Sequence, residues 1–108
     1  MKIKNNLSDY YVHETIFTGA QFLACTQTLT ITLNYQDWQT DETGIGGLNI
    51  VFDGVKEKPQ ELNNLYGEEI LDIYINSKSN NVKIIFDNEN VDILEFFATT
   101  MEIDEEKV

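Results

Sequence analysis

A regular alternation of apolar and polar residues over positions 28–35 constrains the fold of this chain more than any other feature. Every second residue is large and apolar, and the residues between them are three threonines and an asparagine. Successive side chains of a strand point to opposite faces of the sheet, so this segment predicts a strand with one buried face and one solvated face. Such one-sided burial is typical of antiparallel sheets. The residues expected to be buried are Leu29, Ile31, Leu33 and Tyr35.

Three more segments show the same alternation and predict further strands at residues 48–53, 70–76 and 82–87. Their expected inward residues are Leu48, Ile50, Phe52, Leu71, Ile73, Ile75, Val82, Ile84 and Phe86, and their expected outward residues include Asp72 and Tyr74. A short strand at residues 13–17 is expected to pair with the region 22–35.

The remaining segments predict one more strand, a helix and irregular connections. Residues 91–100 carry bulky side chains on both faces, which is typical of a strand that is central or covered on both sides. Residues 58–66 are the helical candidate, because Pro59 suits a first helical turn and Gly67 suits a C-terminal cap. Residues 36–47 are polar and end in a glycine-rich run, so they are predicted to be a long hairpin connection. Residues 102–108 are predicted to form an acidic C-terminal tail.

These elements together predict a mostly β fold of the α+β type. The expected architecture is an antiparallel meander sheet of about five to seven strands, arranged as a sandwich or a half-barrel, with one short helix. With 108 residues the chain has room for a single domain, which spans positions 1–108. The order of the strands is left open, because alternation does not specify which strands pair.

The chain is strongly acidic, with 19 aspartate and glutamate residues against seven lysines and no arginine, and a formal charge of -12. Nucleic acid and anionic membranes both require a basic patch, which this composition disfavours. A basic protein is the favoured partner, because complementary charge accelerates association.

The cysteine content and the N-terminal sequence indicate a cytoplasmic protein. Cys25 is the only cysteine, so no internal disulfide is expected, and this fits a reducing compartment. The lysines near the N-terminus are not followed by the apolar core of a secretory signal. No run of about 18 apolar residues occurs, so a membrane-spanning helix is not expected.

Candidate catalytic and metal-binding patterns are weak, and we expect neither an enzyme nor a cofactor. Cys25 and His13 are the only thiol and the only imidazole, and no basic residue close to Cys25 in the sequence would activate it. Residues 87–98 lack the glycine and the final glutamate of a calcium-binding loop. The acidic residues at 37–42 leave a weak cation site open. The glycines at 44–47 precede a strand, whereas phosphate loops precede a helix.

A partner-binding surface is the remaining functional interpretation. Trp38, the only tryptophan, lies among acidic residues in the predicted connection, and aromatic anchors beside acids provide binding energy and steering. Tyr74 is expected beside Asp72 on the polar face of its strand, with Asp53 on a neighbouring strand. Burial of Trp38 in the core and a sheet-edge position for Tyr74 are the alternatives. The predicted partner-binding residues are Asp37, Trp38, Asp41, Glu42, Asp53, Asp72 and Tyr74.

Three segments carry a resemblance to a known group of proteins. They read His-Glu-Thr-Ile-Phe at residues 13–17, Leu-Asn-Ile-Val-Phe-Asp-Gly-Val at residues 48–55 and Ile-Leu-Asp-Ile-Tyr-Ile at residues 70–75. In order and spacing they resemble small acidic immunity proteins of bacterial polymorphic toxin systems. In that group a histidine–acid pair, a strand ending in Phe-x-Gly-Val and a further hydrophobic strand follow one another. This chain has His-Glu where His-Asp is expected. The resemblance implies a noncatalytic domain that occludes a toxin stoichiometrically.

The function predicted from these observations is that of an immunity-type inhibitor, which binds and occludes a cognate, basic bacterial toxin domain. A nucleic-acid-mimicking inhibitor is one alternative, and it would need carboxylates spaced like phosphates along one surface. A small-ligand-binding regulatory domain, which would use a cavity of the sheet, is the other. The oligomeric state is also left open.

Overall fold

Eight strands form one open sheet in the computed structural model, which describes residues 1–60, 62–90 and 92–107. The strands are β1 (Lys2–Lys4), β2 (Ile16–Leu23), β3 (Thr28–Asn34), β4 (Ile45–Asp53), β5 (Glu69–Asn76), β6 (Asn81–Asp87), β7 (Ile93–Phe97) and β8 (Thr100–Lys107). The helices of the described residues are the α-helix α1 (Asp37–Thr43) and two short 3-10 helices (Leu7–Asp9 and Leu62–Leu65). The expected mostly β fold class is confirmed.

The sheet consists of two three-stranded antiparallel meanders placed side by side. Its strand order is β1-β8-β4-β3-β2-β5-β6-β7, so one meander contains β2, β3 and β4, and the other contains β5, β6 and β7. The meanders join where β2 lies antiparallel to β5, with Ile16 opposite Glu69. β8 extends the first meander beside β4, and β1 pairs with β8 in the parallel direction. The expectation of a single, smaller meander is wrong, because both ends of the chain add a strand.

The apolar faces of the predicted strands form the core. The residues expected to point inward from β3, β4 and β6 are all buried, and so is Tyr35, which follows β3. Phe52 of β4 packs edge to face on Phe96 of β7, with ring centroids 4.9 Å apart and an interplanar angle of 81°. Because β4 and β7 belong to different meanders, the sheet curves so that its two halves face each other across one core.

β5 departs from the predicted alternation at a β-bulge between Ile70 and Asp72. A bulge places one extra residue in one strand and thereby changes which side chains face the core. Ile70 is therefore buried, and Leu71, which we expected to point inward, is 38 % exposed. Ile73 is buried as predicted, and Ile75 is partly buried against the core.

Helix α1 replaces most of the connection predicted at residues 36–47. A reciprocal capping box between Gln36 and Gln39 closes its N-terminus, and Gly44 ends it in the left-handed conformation with a φ of 72°. Glutamine is outside the usual set of N-cap residues, so the segment did not carry the usual sequence signature of a helix start. The last three residues of the connection, positions 45–47, belong to β4.

The helix predicted at residues 58–66 is instead a short 3-10 helix at Leu62–Leu65. Leu62 and Leu65 are three residues apart, so they share one face of a 3-10 helix, and both are buried. Gly67 follows with a φ of 87°. Glu61, which belongs to the predicted helix, lies outside the described residues.

The C-terminal part of the chain corrects two further expectations. β7 occupies an edge of the sheet rather than a central position, and Val91 of the predicted strand lies outside the described residues. The predicted acidic tail at residues 102–108 is part of β8 as far as Lys107, because Met101 and Ile103 alternate into the core. Val108 also lies outside the described residues.

Candidate partner-binding site

Helix α1 places Trp38 on the protein surface rather than in the core. The helix docks on the residues before β2 through two glutamine side chains. The buried Gln39 donates from Nε2 to the His13 carbonyl oxygen at 2.8 Å. Gln36 donates from Nε2 to the Glu14 carbonyl oxygen at 2.6 Å. These bonds fix the orientation of the helix, and Trp38 remains 43 % exposed.

Three aromatic rings form a row that begins at Trp38. The indole packs edge-on against Tyr11, with ring centroids 6.4 Å apart. Tyr11 in turn packs edge-on against the His13 ring at 6.1 Å, and it is itself about half exposed. Edge-to-face pairs of this kind hold the rings in place and leave part of each ring accessible to a partner.

His13 connects this row to β5. Its Nδ1 donates to the Leu71 carbonyl oxygen at 2.9 Å, and its Nε2 lies 3.3 Å from Oε1 of Glu14. The hydrogen bond to Leu71 raises the pKa of His13 above its ordinary value, although desolvation opposes the shift. The negative charges of Glu14, Asp72 and Asp87 raise this pKa further. The imidazole therefore stands in an acidic environment that favours its protonated form.

Two side chains of β5 complete the group. Tyr74 points outward as predicted and is 54 % exposed. A hydrogen bond to the Asp72 carboxylate, and the charge of that carboxylate, raise the pKa of the Tyr74 phenol above its ordinary value. Asp72 also accepts the N–H of Ile73 at 2.8 Å, which holds the carboxylate in place.

We refer to Tyr11, His13, Trp38, Asp72 and Tyr74 together as the aromatic–acidic surface. Three of its members were predicted as partner-binding residues. Trp38 begins the aromatic row on α1, and Asp72 and Tyr74 follow Leu71, the residue that His13 contacts, on β5. Tyr11 was not predicted, and His13 was considered as a catalytic candidate and as part of the histidine–acid pair of the resemblance, but not as a partner-binding residue. The sequence signal that could have indicated this pair was a tyrosine two residues before the single histidine. That the pair lies next to β5, however, depends on the contact between β2 and β5, which is not visible in the sequence.

Three further predicted residues border the aromatic–acidic surface on α1. Asp37, Asp41 and Glu42 are all exposed on the helix that carries Trp38. Asp41 and Glu42 follow Trp38 by three and four residues, so they lie on the same side of the helix. They place negative charge next to the exposed indole.

Asp53 does not join the other predicted residues. It ends β4, which is separated from β5 by β3 and β2, so the expectation that it neighbours Tyr74 is wrong. Its carboxylate accepts hydrogen bonds from Oγ1 of Thr28 at 2.6 Å and from Oγ1 of Thr100 at 3.3 Å. These contacts tie together β3, β4 and β8 at one end of the sheet.

The groups considered for catalysis are far apart. Cys25 is exposed in the turn between β2 and β3, whereas His13 precedes the other end of the eight-residue strand β2. Among the residues that the structure describes, no three His, Cys, Asp or Glu side chains are grouped to hold a metal ion. Within the same residues, no helix has the length and the apolar character needed to cross a membrane.

The carboxylates of the chain lie on several separate elements. Asp41 and Glu42 are on α1, Asp104 and Glu106 are on β8, and Glu89 is in the turn after β6. A nucleic-acid mimic would need its acids aligned along one surface with the spacing of phosphates.

A cleft of about 600 Å³ lies beside β7 and the residues that follow β4. The interior of the curved sheet is filled by the hydrophobic core, and the cleft reaches the core residues Val55, Phe96 and Ala98. A small ligand of the kind expected for the second alternative would use this cleft, part of whose lining is apolar.

Comparisons of the chain with known protein families, with curated proteins and with solved structures gave no significant match. The interpretation of the aromatic–acidic surface therefore depends on its own geometry and charge.

Proposed function

We propose that this protein is an immunity-type inhibitor that binds and occludes a cognate, basic bacterial toxin. The observation that carries the proposal is the aromatic–acidic surface, in which Tyr11, Trp38 and Tyr74 are exposed beside carboxylates. Aromatic side chains of this kind dominate the binding energy of many protein interfaces. Their bodies are apolar and their polar ends reach hydrogen-bond partners, so they suit a surface that is wet before binding and covered afterwards.

The charge of the chain supports a basic partner. The formal charge is -12, and three exposed carboxylates share helix α1 with the exposed indole of Trp38. A field of one sign attracts an oppositely charged protein and raises the rate of encounter. The aromatic groups then provide the short-range contacts that hold the complex together, so charge and apolar area have separate roles.

The resemblance to immunity proteins of polymorphic toxin systems adds support. The histidine–acid pair of that resemblance is His13 and Glu14, and His13 belongs to the aromatic–acidic surface. Gly54 and Val55, from the second segment, have a structural role instead. Gly54 adopts a φ of 75°, and the Val55 side chain is buried in the core.

Inhibition in this proposal is stoichiometric and requires no chemistry by the inhibitor. Helix α1 holds Trp38 and strand β5 holds Tyr74 in fixed positions, and the toxin loses activity because its own basic surface is covered. Both proteins meet in the cytoplasm.

Co-expression with the toxin domain encoded next to this chain tests the proposal. The toxin domain is induced in a heterologous bacterium together with this chain or with an unrelated acidic protein of similar size. Growth that is restored by this chain and not by the acidic control is the expected result. A toxin domain that is harmless alone, or equally lethal in both strains, contradicts the proposal.

A further inference from the structure

β7 presents an edge whose backbone hydrogen-bonding groups are not used by another strand of the described sheet. The N–H of Ala98 donates to the Asn80 carbonyl oxygen at 3.0 Å, so the even-numbered residues of this segment pair with the β6 side. In an antiparallel ladder, the residues between them direct their backbone groups to the opposite side. The N–H and C=O groups of Ile93, Glu95 and Phe97 therefore point away from β6 at the edge of the sheet.

The two edges of the sheet differ in how they are protected. Natural proteins block edge strands with short length, lysine, proline or bulges. β1, at one edge, has only three residues and carries Lys2 and Lys4. β7, at the other edge, reads Ile-Leu-Glu-Phe-Phe and pairs with β6 without a bulge. β7 has no lysine, proline or bulge, and its one charged residue, Glu95, is held by Asn81 and Lys83 of β6, so its edge is a template for an additional strand.

The outward side chains of β7 form an apolar–acidic–apolar pattern. Ile93 is 57 % exposed and Phe97 is 60 % exposed, and these are the two most exposed large apolar residues of the described chain. Glu95 lies between them. Its Oε2 accepts a hydrogen bond from Asn81 at 3.1 Å and lies 3.6 Å from Nζ of Lys83, and both contacts use the same oxygen.

Space for another chain is present beside this edge. The cleft of about 600 Å³ has the residues that follow β4, positions 54–60, on one side and residues 95–99 on the other. The added strand would place alternate side chains towards this cleft and the others on the outer face of the sheet.

A second copy of this chain is a poor occupant of the edge. Antiparallel pairing of β7 with itself about its central residue places the two Glu95 carboxylates opposite each other, and like charges in that position destabilise a sheet. Each copy also carries a formal charge of -12, which opposes association. A basic partner meets neither obstacle.

We propose that the β7 edge receives an extended segment of a basic partner protein, which adds to the sheet as an antiparallel strand. The segment has a lysine or arginine opposite Glu95 and apolar residues opposite Ile93 and Phe97. Main-chain hydrogen bonds supply affinity in this mode, and the alternating side chains supply specificity. The basic charge of the partner rests on the proposed function, whereas the open edge is a property of the sheet alone.

The edge and the aromatic–acidic surface are parts of one continuous face. Tyr74, Lys83 and Glu95 stand opposite one another on β5, β6 and β7, and their side chains share the outer face of the sheet. A partner that covers Tyr74 therefore reaches the β7 edge across a single intervening strand.

A short synthetic peptide tests the strand addition directly. The probe is acetyl-Thr-Val-Thr-Lys-Thr-Val-Thr-amide, titrated into the isotope-labelled full chain and followed by NMR. The expected result is a shift of the amide signals of Ile93, Glu95 and Phe97, with slower hydrogen exchange at these amides. N-methylation of the valine and lysine nitrogens should abolish binding, because these groups face β7. N-methylation of the two inner threonines is the matched control. Their backbone N–H groups point away from β7, so this change should leave binding intact.

A charge exchange tests the register. The lysine peptide should bind about tenfold more tightly than the same peptide with glutamate at its centre, given the difference between opposite and like charges across a sheet. In the Glu95→Lys variant the preference should reverse. Thermal unfolding of this variant shows whether the fold persists without the contact to Lys83.

Several outcomes would overturn the inference. These are an unchanged preference in a folded Glu95→Lys variant, equal effects of the two N-methylated peptides, and signal shifts confined to α1. Sedimentation of the unliganded chain as a dimer with protected β7 amides would assign the edge to a second copy instead. Because the peptide experiment uses no toxin, its failure leaves the growth assay unaffected, and failure of the growth assay leaves the peptide result unaffected.

Discussion

The imidazole Nδ1 of His13 lies 2.9 Å from the carbonyl oxygen of Leu71, and this contact joins the segment before β2 to β5. The bulge in β5 occurs at the same place and leaves the Leu71 side chain outside the core. As a result, the aromatic row that begins on α1 and the outward side chain of Tyr74 belong to one surface.

His13 is expected to titrate above its ordinary value of 6.5, because its hydrogen bond to Leu71 and the nearby carboxylates favour the protonated ring. Asp72→Asn should lower this pKa, since it removes one of those charges. Glu57→Gln, at an exposed position far along the chain, is the control and should leave it unchanged. The measurement is an NMR titration of the imidazole protons. A pKa at or below the ordinary value would show that the described contacts do not persist in solution.

The same shift predicts a pH dependence of stability. A raised pKa in the folded state means that protonation of His13 favours folding. This stabilisation is fully present below the unfolded-state pKa of about 6.5 and is lost as the pH rises through the folded-state pKa. The free energy of unfolding should therefore decrease as the pH rises above about 6, and less so in His13→Gln. Urea denaturation across this range checks the prediction, and equal pH dependence in both proteins would refute it.

Gly54 is expected to be required for stability. It has a φ of 75°, and a Cβ added there would collide with the Thr99 side chain. Gly44 has a similar φ of 72°, but a Cβ there meets nothing within 4 Å. Gly44→Ala should cost about 1–2 kcal/mol from the left-handed conformation alone, and Gly54→Ala about 2–4 kcal/mol because of the added contact. Chemical denaturation compares the two, and equal losses would mean that Thr99 moves aside.

Association with the partner should depend on salt through its rate of formation. Raising the ionic strength from about 0.01 M to about 1 M shortens the Debye length from about 30 Å to about 3 Å. The steering that arises from the charge of -12 is then screened. Stopped-flow kinetics should show a large fall in the association rate and a small change in the dissociation rate. A rate that is independent of salt would rule out electrostatic steering.

Trp38 and Tyr74 are expected to contribute more binding energy than any single acid. Alanine at either position should weaken binding by at least about 2 kcal/mol, the range of interface hot spots. Asp41→Asn should cost less than about 1 kcal/mol, because an exposed charge contributes little. Leu23→Ala, an exposed apolar residue at the end of β2, is the matched control. Calorimetry of the complex measures these differences, and an acid that matters as much as Trp38 would contradict the assignment.

The sequence predicted the strands correctly where buried and exposed residues simply alternate. Strands β3, β4 and β6 have one buried face, so every second residue is apolar and the inward residues follow directly. In β8 the same alternation at Met101 and Ile103 was hidden by Glu102 between them and by the acidic residues that follow. In β7, apolar residues on both faces suggested a covered strand, although Ile93 and Phe97 are exposed at an edge.

The candidate site was predictable only in part. The exposure of Tyr74 follows from local alternation, but its grouping with Trp38 depends on α1 and on the contact between β2 and β5. Both arise from long-range contacts, such as the bond from Gln39 to the His13 carbonyl, which alternation does not encode. The wrong grouping of Asp53 with Tyr74 has a related cause. Strand order is set by tertiary packing, so local alternation could not show that β3 and β2 separate their strands.

The most direct test of the account is the growth assay repeated with a Trp38→Ala/Tyr74→Ala double variant. The toxin domain is induced with wild-type protein, with the double variant or with Leu23→Ala, at equal expression and with unchanged thermal unfolding. The account predicts that wild-type protein and Leu23→Ala restore growth and that the double variant does not. Full protection by a folded double variant would contradict the claim that the aromatic–acidic surface binds the toxin.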